Sequence, residues 1–165
     1  MRNLLDPGFA GDAGAADPEL AAALSAYDAD PQRGYRAALA VLQHARLLVP
    51  VMAVLGDVEH DERGLAHDKS SEMATVLMRG QDGRLALLAF TSTEALHAWN
   101  PAARPVPVPA AQAAQAALQD DAAAVVVDVA GPVLFVVEEA DLRSLAGGYT
   151  LVRMADRYAW ARPTE

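Results

Sequence analysis

Two pairs of short apolar runs, each closed by a turn-forming cluster, constrain this chain more than any other feature. Met73–Arg79 and Leu85–Phe90 flank Gly80-Gln81-Asp82-Gly83, while Ala124–Val129 and Val133–Val137 flank Ala130-Gly131-Pro132. Runs of this length, bounded by Gly, Asp or Pro, read as β-hairpins. A hairpin makes its two strands antiparallel. A third run, Arg46–Leu55, is apolar almost throughout and reads as a further strand. Pro50 inside it has no N–H for a ladder, which predicts an edge position or a bulge at that point. Arg104–Pro109 alternates Pro with Val. That segment is expected to be extended, and at a sheet edge if it pairs.

Helix signals fill the intervals. Asp17-Pro18-Glu19 joins an N-cap acceptor, a proline at the first helical position and an acid in the first turn. Asp30-Pro31 repeats the start, and Tyr35, Ala38, Leu39 and Leu42 follow at helical spacing. Thr91-Ser92-Thr93-Glu94 has the form of a capping box, with Thr91 as cap and Glu94 reaching back. It predicts a short helix over Ser92–Trp99, stopped by Asn100-Pro101. Ala110–Leu118 and Glu138–Ala146 complete the set, the latter ended by Gly147-Gly148. Tyr149–Met154 and Tyr158–Ala161 read as added strands. The expected fold is α+β: a mixed, largely antiparallel sheet built from hairpins, with helices packed on it. Residues 1–16, rich in Gly, Ala and Asp, are expected to form a mobile arm. Residues 17–146 are expected to form the domain and 147–165 a C-terminal extension. With 165 residues and 53% hydrophobic content, the chain buries a core without metal or disulfide.

Several chemistries are excluded by composition. There is no cysteine, so disulfides, thiolate zinc sites, iron–sulfur clusters and thiol catalysis fall away. Neither a Gly-x-x-x-x-Gly-Lys nor a Gly-x-Gly-x-x-Gly loop occurs, so nucleotide sites of those kinds are not expected. No cofactor is called for. The formal charge of −9 argues against nucleic acid and anionic membranes as partners. Arg143, Arg153, Arg157 and Arg162 form a basic cluster late in the chain, which reads first as a solvated face. The start reaches Asp6 without a sustained apolar stretch, so no secretory signal is expected and the expected compartment is the cytoplasm.

Three patterns then stand together: Ala45-Arg46-Leu47-Leu48-Val49-Pro50-Val51, Lys69-Ser70-Ser71-Glu72-Met73-Ala74, and Ala89-Phe90-Thr91-Ser92 entering a helix with Leu96 and Trp99. In order and spacing they resemble the SseB family (enhanced serine sensitivity), specifically its amino-terminal domain in the short form of high-GC bacteria. The resemblance covers roughly residues 17–146. It implies no catalytic residue set, and the second domain of larger members does not fit in this chain.

Candidate residues remain. His60, Asp61, Glu62, His67 and Asp68 share the long polar loop 56–70, but their spacing matches no compact metal motif, so no metal site is assigned. Lys69, Ser70 and Ser71 sit at a loop-to-strand junction and offer an ammonium and two hydroxyls to a ligand or partner. Without an oxyanion elbow or a spaced triad they are read as contacts, not as a nucleophile and base. Thr91 and Ser92 sit at a helix start, and Trp99 ends that helix as a core residue or a partner anchor. The function expected is a non-enzymatic protein-interaction or adaptor module, binding a protein partner or itself. The alternative is a small-ligand or enzymatic domain using loop 56–71 as a lid. A weaker third is an accessory to the translation machinery.

Overall fold

The computed structural model describes residues 11–54 and 72–163. Two helices come first, α1 (Pro18–Ala29) and α2 (Pro31–Leu42). Each begins at its aspartate: Asp17 accepts from the Glu19 N–H and Asp30 from the Arg33 N–H. The two helices cross closely at Gly34, where an added Cβ would lie 2.5 Å from the Tyr27 Cα. A glycine is required there because the obstruction is backbone.

The strands follow as β1 (Arg46–Val54), β2 (Glu72–Thr75), β3 (Leu77–Arg79) and β4 (Leu85–Ala89). Helix α3 (Thr93–Trp99), β5 (Arg104–Pro109), α4 (Ala110–Gln119), β6 (Ala124–Val127) and β7 (Phe135–Glu138) come next. Helix α5 (Glu139–Ala146) and the strands β8 (Thr150–Met154) and β9 (Arg157–Ala161) close the chain. One sheet has the order β2-β1-β5, a second β3-β4-β6-β7, and β8-β9 form a third. All pairings are antiparallel except β4 with β6, so the α+β expectation holds. The first two sheets are joined: Leu48 and Phe90 exchange both backbone hydrogen bonds at 2.8 Å. The predicted first strand of the hairpin is divided at Val76, its first half pairing with β1 and its second with β4.

Side-chain alternation sorts the second sheet into two faces. Leu87, Ala89, Val125, Val127, Phe135 and Val137 share the larger core with residues of α1, α2, α4 and α5. Ala86, Leu88 and Val126 point the other way, into a smaller core with Phe90 and with Ala95 and Leu96 of α3. Tyr27 and Tyr35 flank the Phe135 ring at 4.9 and 5.3 Å between centroids. Tyr35 donates its hydroxyl to Asp141 at 2.8 Å. Burial first, then this carboxylate, holds the Tyr35 phenol well above its ordinary pKa.

The prolines obey one geometric rule. Antiparallel pairs alternate between residues that exchange hydrogen bonds and residues that do not. The Ala110 N–H donates to the Ala45 carbonyl, which continues the bonded series 47↔108, 49↔106 and 51↔104. Pro105, Pro107 and Pro109 therefore occupy the unbonded positions, and the outer edge of β5 carries no N–H there. Pro50 departs from expectation, since β1 is the central strand of its sheet. It is tolerated because its nitrogen faces away from β5. On that side it falls between the Leu48–Phe90 bridge and the start of β2 pairing at Val51.

The described part of the expected arm is tethered. Arg46 binds the Asp12 carboxylate through Nε at 2.7 Å and Nη2 at 2.9 Å, and the Ala15 carbonyl through Nη2 at 2.8 Å. The Gly14 carbonyl accepts from the Thr93 N–H at 2.8 Å. Among the described residues no helix is long and apolar enough to cross a membrane.

Candidate functional site

A cleft of about 500 Å³ opens where β4 and β6 end. These are the parallel neighbours, and the carboxyl ends of parallel strands are where open α/β sheets place ligands. Thr91 and Ser92 follow β4 and Asp128 follows β6; all three line the cleft. Its walls are Ala21 and Leu24 from α1, Ala95 and Ala98 from α3, and Pro132 and Val133 from the turn before β7. Glu94 is exposed at the rim.

Asp128 and Thr91 are the buried polar side chains of the described residues, 1% and 5% exposed. The Thr91 N–H donates to Asp128 Oδ1 at 2.8 Å, and the Thr91 hydroxyl donates to Oδ2 at 2.7 Å. Asp128 adopts a positive φ of 56°, which aspartate tolerates better than most residues. Burial pushes its carboxyl pKa up, and the two Thr91 hydrogen bonds oppose that shift. Beyond Thr91 the network continues: the Thr91 carbonyl accepts from Arg46 Nη1 at 2.7 Å.

This corrects the expected capping box. The cap is Ser92, whose Oγ accepts from the Ala95 N–H at 3.0 Å, and the helix begins at Thr93. Thr91 lies one residue before that cap, and its hydroxyl donates to the buried Asp128 carboxylate, a charge-assisted hydrogen bond, in place of accepting from the first helical turn. Of the residues singled out from sequence, the structure brings Thr91 and Ser92 together. Trp99 does not line the cleft; it packs against Phe90 in the smaller core, at 5.7 Å between centroids. Lys69, Ser70 and Ser71, the loop 56–71 and its histidines and carboxylates lie outside the described residues. Asp128 was not singled out as a site residue. Its signal was a lone carboxylate ending the run Ala124-Val125-Val126-Val127. Among the described residues no cluster of three or more His, Asp or Glu is placed to hold a metal ion.

The model of the SseB protein N-terminal domain matches residues 20–144, which takes in the cleft, both joined sheets and most of α5. The chain belongs to the SseB family. No curated protein and no solved structure matches it.

The β8-β9 hairpin lies beyond the matched SseB region. It is docked on the SseB domain by side chains. The Gln43 amide acts as a strand edge, accepting from the Leu151 N–H at 2.7 Å and donating to the Leu151 carbonyl at 2.8 Å. Trp160 donates its indole N–H to Asp141 at 3.0 Å. Because Leu151 turns its backbone groups away from β9, the pair Leu151↔Trp160 is an unbonded one, as is Arg153↔Tyr158. The backbone N–H and C=O groups of Tyr158 and Trp160 consequently point out of the far edge of β9. Among the described residues nothing bonds them. Arg153, Arg157 and Arg162 are exposed around this edge, Met154 beside them is 56% exposed, and no described carboxylate pairs with these arginines.

Proposed function

We propose that this SseB-family chain is a non-enzymatic protein-interaction module, and that the outer edge of β9 receives an extended acidic segment of a partner. The observation that carries the proposal is the contrast between its edges. Prolines remove the donors from the outer edge of β5, whereas β9 presents a row of donors and acceptors that is unanswered among the described residues. An edge of that kind is a template for strand addition. Three arginines flank it in a chain of net charge −9. Pairing β9 with a second copy of itself would bring cations together, so charge complementarity favours a carboxylate-bearing strand over self-association.

The test is fluorescence anisotropy with two labelled peptides, one alternating Val and Glu, the other Val and Lys. The acidic peptide binds, and added salt weakens it. R157E and Y158P, the second removing an outward N–H that β8 does not use, each weaken it about tenfold or more. Equal binding of both peptides, or undiminished binding by both variants, overturns the proposal.

A further inference from the structure

Arg46 is a largely buried cation inside the SseB match whose anionic partner lies outside that match. Its side chain is 12% exposed, and the Asp12 carboxylate paired with it precedes the matched region 20–144. The guanidinium grips this carboxylate as a fork, through Nε at 2.7 Å and Nη2 at 2.9 Å. Nη2 also donates to the Ala15 carbonyl at 2.8 Å, while Nη1 donates to the Thr91 carbonyl at 2.7 Å and so anchors the fork to the domain. A bidentate arginine selects its ligand by orientation as well as by charge. Between the two contacts the chain makes a turn of defined shape. The Gly14 N–H donates to Asp12 Oδ1 at 2.8 Å, and the Gly14 carbonyl accepts from the Thr93 N–H at 2.8 Å. Gly14 has φ 84°, and a Cβ there would meet the Thr93 hydroxyl, so conformation and space both call for glycine. Among the described residues, neither core takes a side chain from 11–16. The arm is held by one carboxylate, one glycine and two carbonyls, and another segment offering the same groups can replace it. Arg46 left without a carboxylate would be a poorly solvated, unpaired charge.

We infer that Arg46 and the Thr93 N–H form a recognition site for an Asp-x-Gly peptide turn, that residues 12–15 fill it as a built-in competitor, and that the ligand exchanged for them is the same turn on another protein. This site is independent of the β9 edge, since Arg46 and Thr93 lie within the SseB match and the hairpin lies outside it. The covalent link gives the arm an effective concentration on the order of millimolar, so the site is closed to weak ligands while the arm is in place. The arm of a second copy would remake the same contacts without adding one, which leaves a different protein as the source of the ligand.

The experiment titrates the ¹⁵N-labelled full chain with a blocked peptide of residues 11–16, Gly-Asp-Ala-Gly-Ala-Ala, and follows the Thr93 amide and the Arg46 Nε–H. D12A/G14A removes the carboxylate of the arm and obstructs its turn. This variant is expected to bind the peptide at least about tenfold more tightly than wild type does, with the milder D12N between the two. Peptides with Asn for Asp, or Ala for the second Gly, are expected to bind D12A/G14A about tenfold more weakly or not at all. The same loss is expected for the original peptide on D12A/G14A/R46K, which keeps the charge and loses the fork. Sedimentation of the wild type is expected not to change with concentration; a dimer that D12A/G14A abolishes would assign the site to the arm of a second copy and overturn the assignment to another protein. Equal binding by wild type and D12A/G14A, or equal binding of the Asn peptide, overturns the inference. So does absence of binding by D12A/G14A, or by D12N where the double variant does not fold. Failure of both variants to fold makes the arm part of the domain and overturns it as well.

Discussion

Replacing Thr91 by Val tests the Thr91–Asp128 pair with almost no change of shape. The hydroxyl donor is lost, the backbone N–H donor is kept, and Asp128 Oδ2 loses its 2.7 Å partner in a site where the carboxylate is 1% exposed. A hydrogen bond to a charged group contributes about 1.5–3 kcal/mol, and a buried group left unsatisfied sits at the upper part of that range. The substitution is therefore expected to cost about 2–3 kcal/mol at neutral pH. For a chain of this size that is a fall of roughly 4–12 °C in thermal midpoint. The cost depends on pH. Burial holds the folded Asp128 pKa above its ordinary value of 3.8, so the native state keeps a proton that the unfolded chain releases. Stability contributed at Asp128 is greatest in acid and is lost as pH rises through the raised value. Without the Thr91 hydroxyl that value rises further, so T91V loses more stability over the same climb. Urea unfolding of both proteins at several pH values measures the difference. A cost below about 0.5 kcal/mol, or a cost that does not shrink as pH falls toward the carboxylate range, refutes the idea that this pair is a buried ionic hydrogen bond.

Two further substitutions probe the frame around the cleft. R46A removes the partner of Asp12 and the donors to Ala15 and Thr91, with side chains only 12% and 21% exposed, and is expected to cost about 2–3 kcal/mol in urea unfolding at neutral pH. Its hydrogen bonds to Arg46 hold the Asp12 pKa below 3.8, so this part of the difference fades as pH falls through the lowered value, and the gap between wild type and R46A narrows in strong acid to what the Ala15 and Thr91 carbonyl bonds contribute. G34A forces a methyl against the Tyr27 backbone at 2.5 Å and is expected to destabilise by about 1–3 kcal/mol, although alanine is the better helix former. A neutral or stabilising result from calorimetry would mean that α1 and α2 separate freely.

The local elements were legible because their causes are local. Asp17-Pro18 and Asp30-Pro31 start helices through their own side chains and fixed φ, and both starts are observed. The turn Gly80–Gly83 closes the first hairpin with Gly83 at φ 85°, a conformation that glycine adopts freely. The Pro-Val alternation of Arg104–Pro109 carried its own edge assignment, since an N–H missing at every second residue leaves one side that cannot pair. The family was legible from the order of Leu-Val-Pro-Val, Lys-Ser-Ser and Phe-Thr-Ser, and the family match spans residues 20–144.

What tertiary structure alone decided are the matters settled between residues far apart in sequence. Pro50 sits centrally in its sheet because two different partners leave a gap beside its nitrogen, and no window around Pro50 contains either partner. Thr91 has the form of a helix cap within its own tetrapeptide, yet its hydroxyl goes to a carboxylate 37 positions away. That contact exists only because β4 and β6 run side by side in the same direction, bringing their ends to one point. Hydrogen-bond preference and chain stiffness act over a few residues and can be read in order along the chain. Burial of a charge depends on everything folded around it.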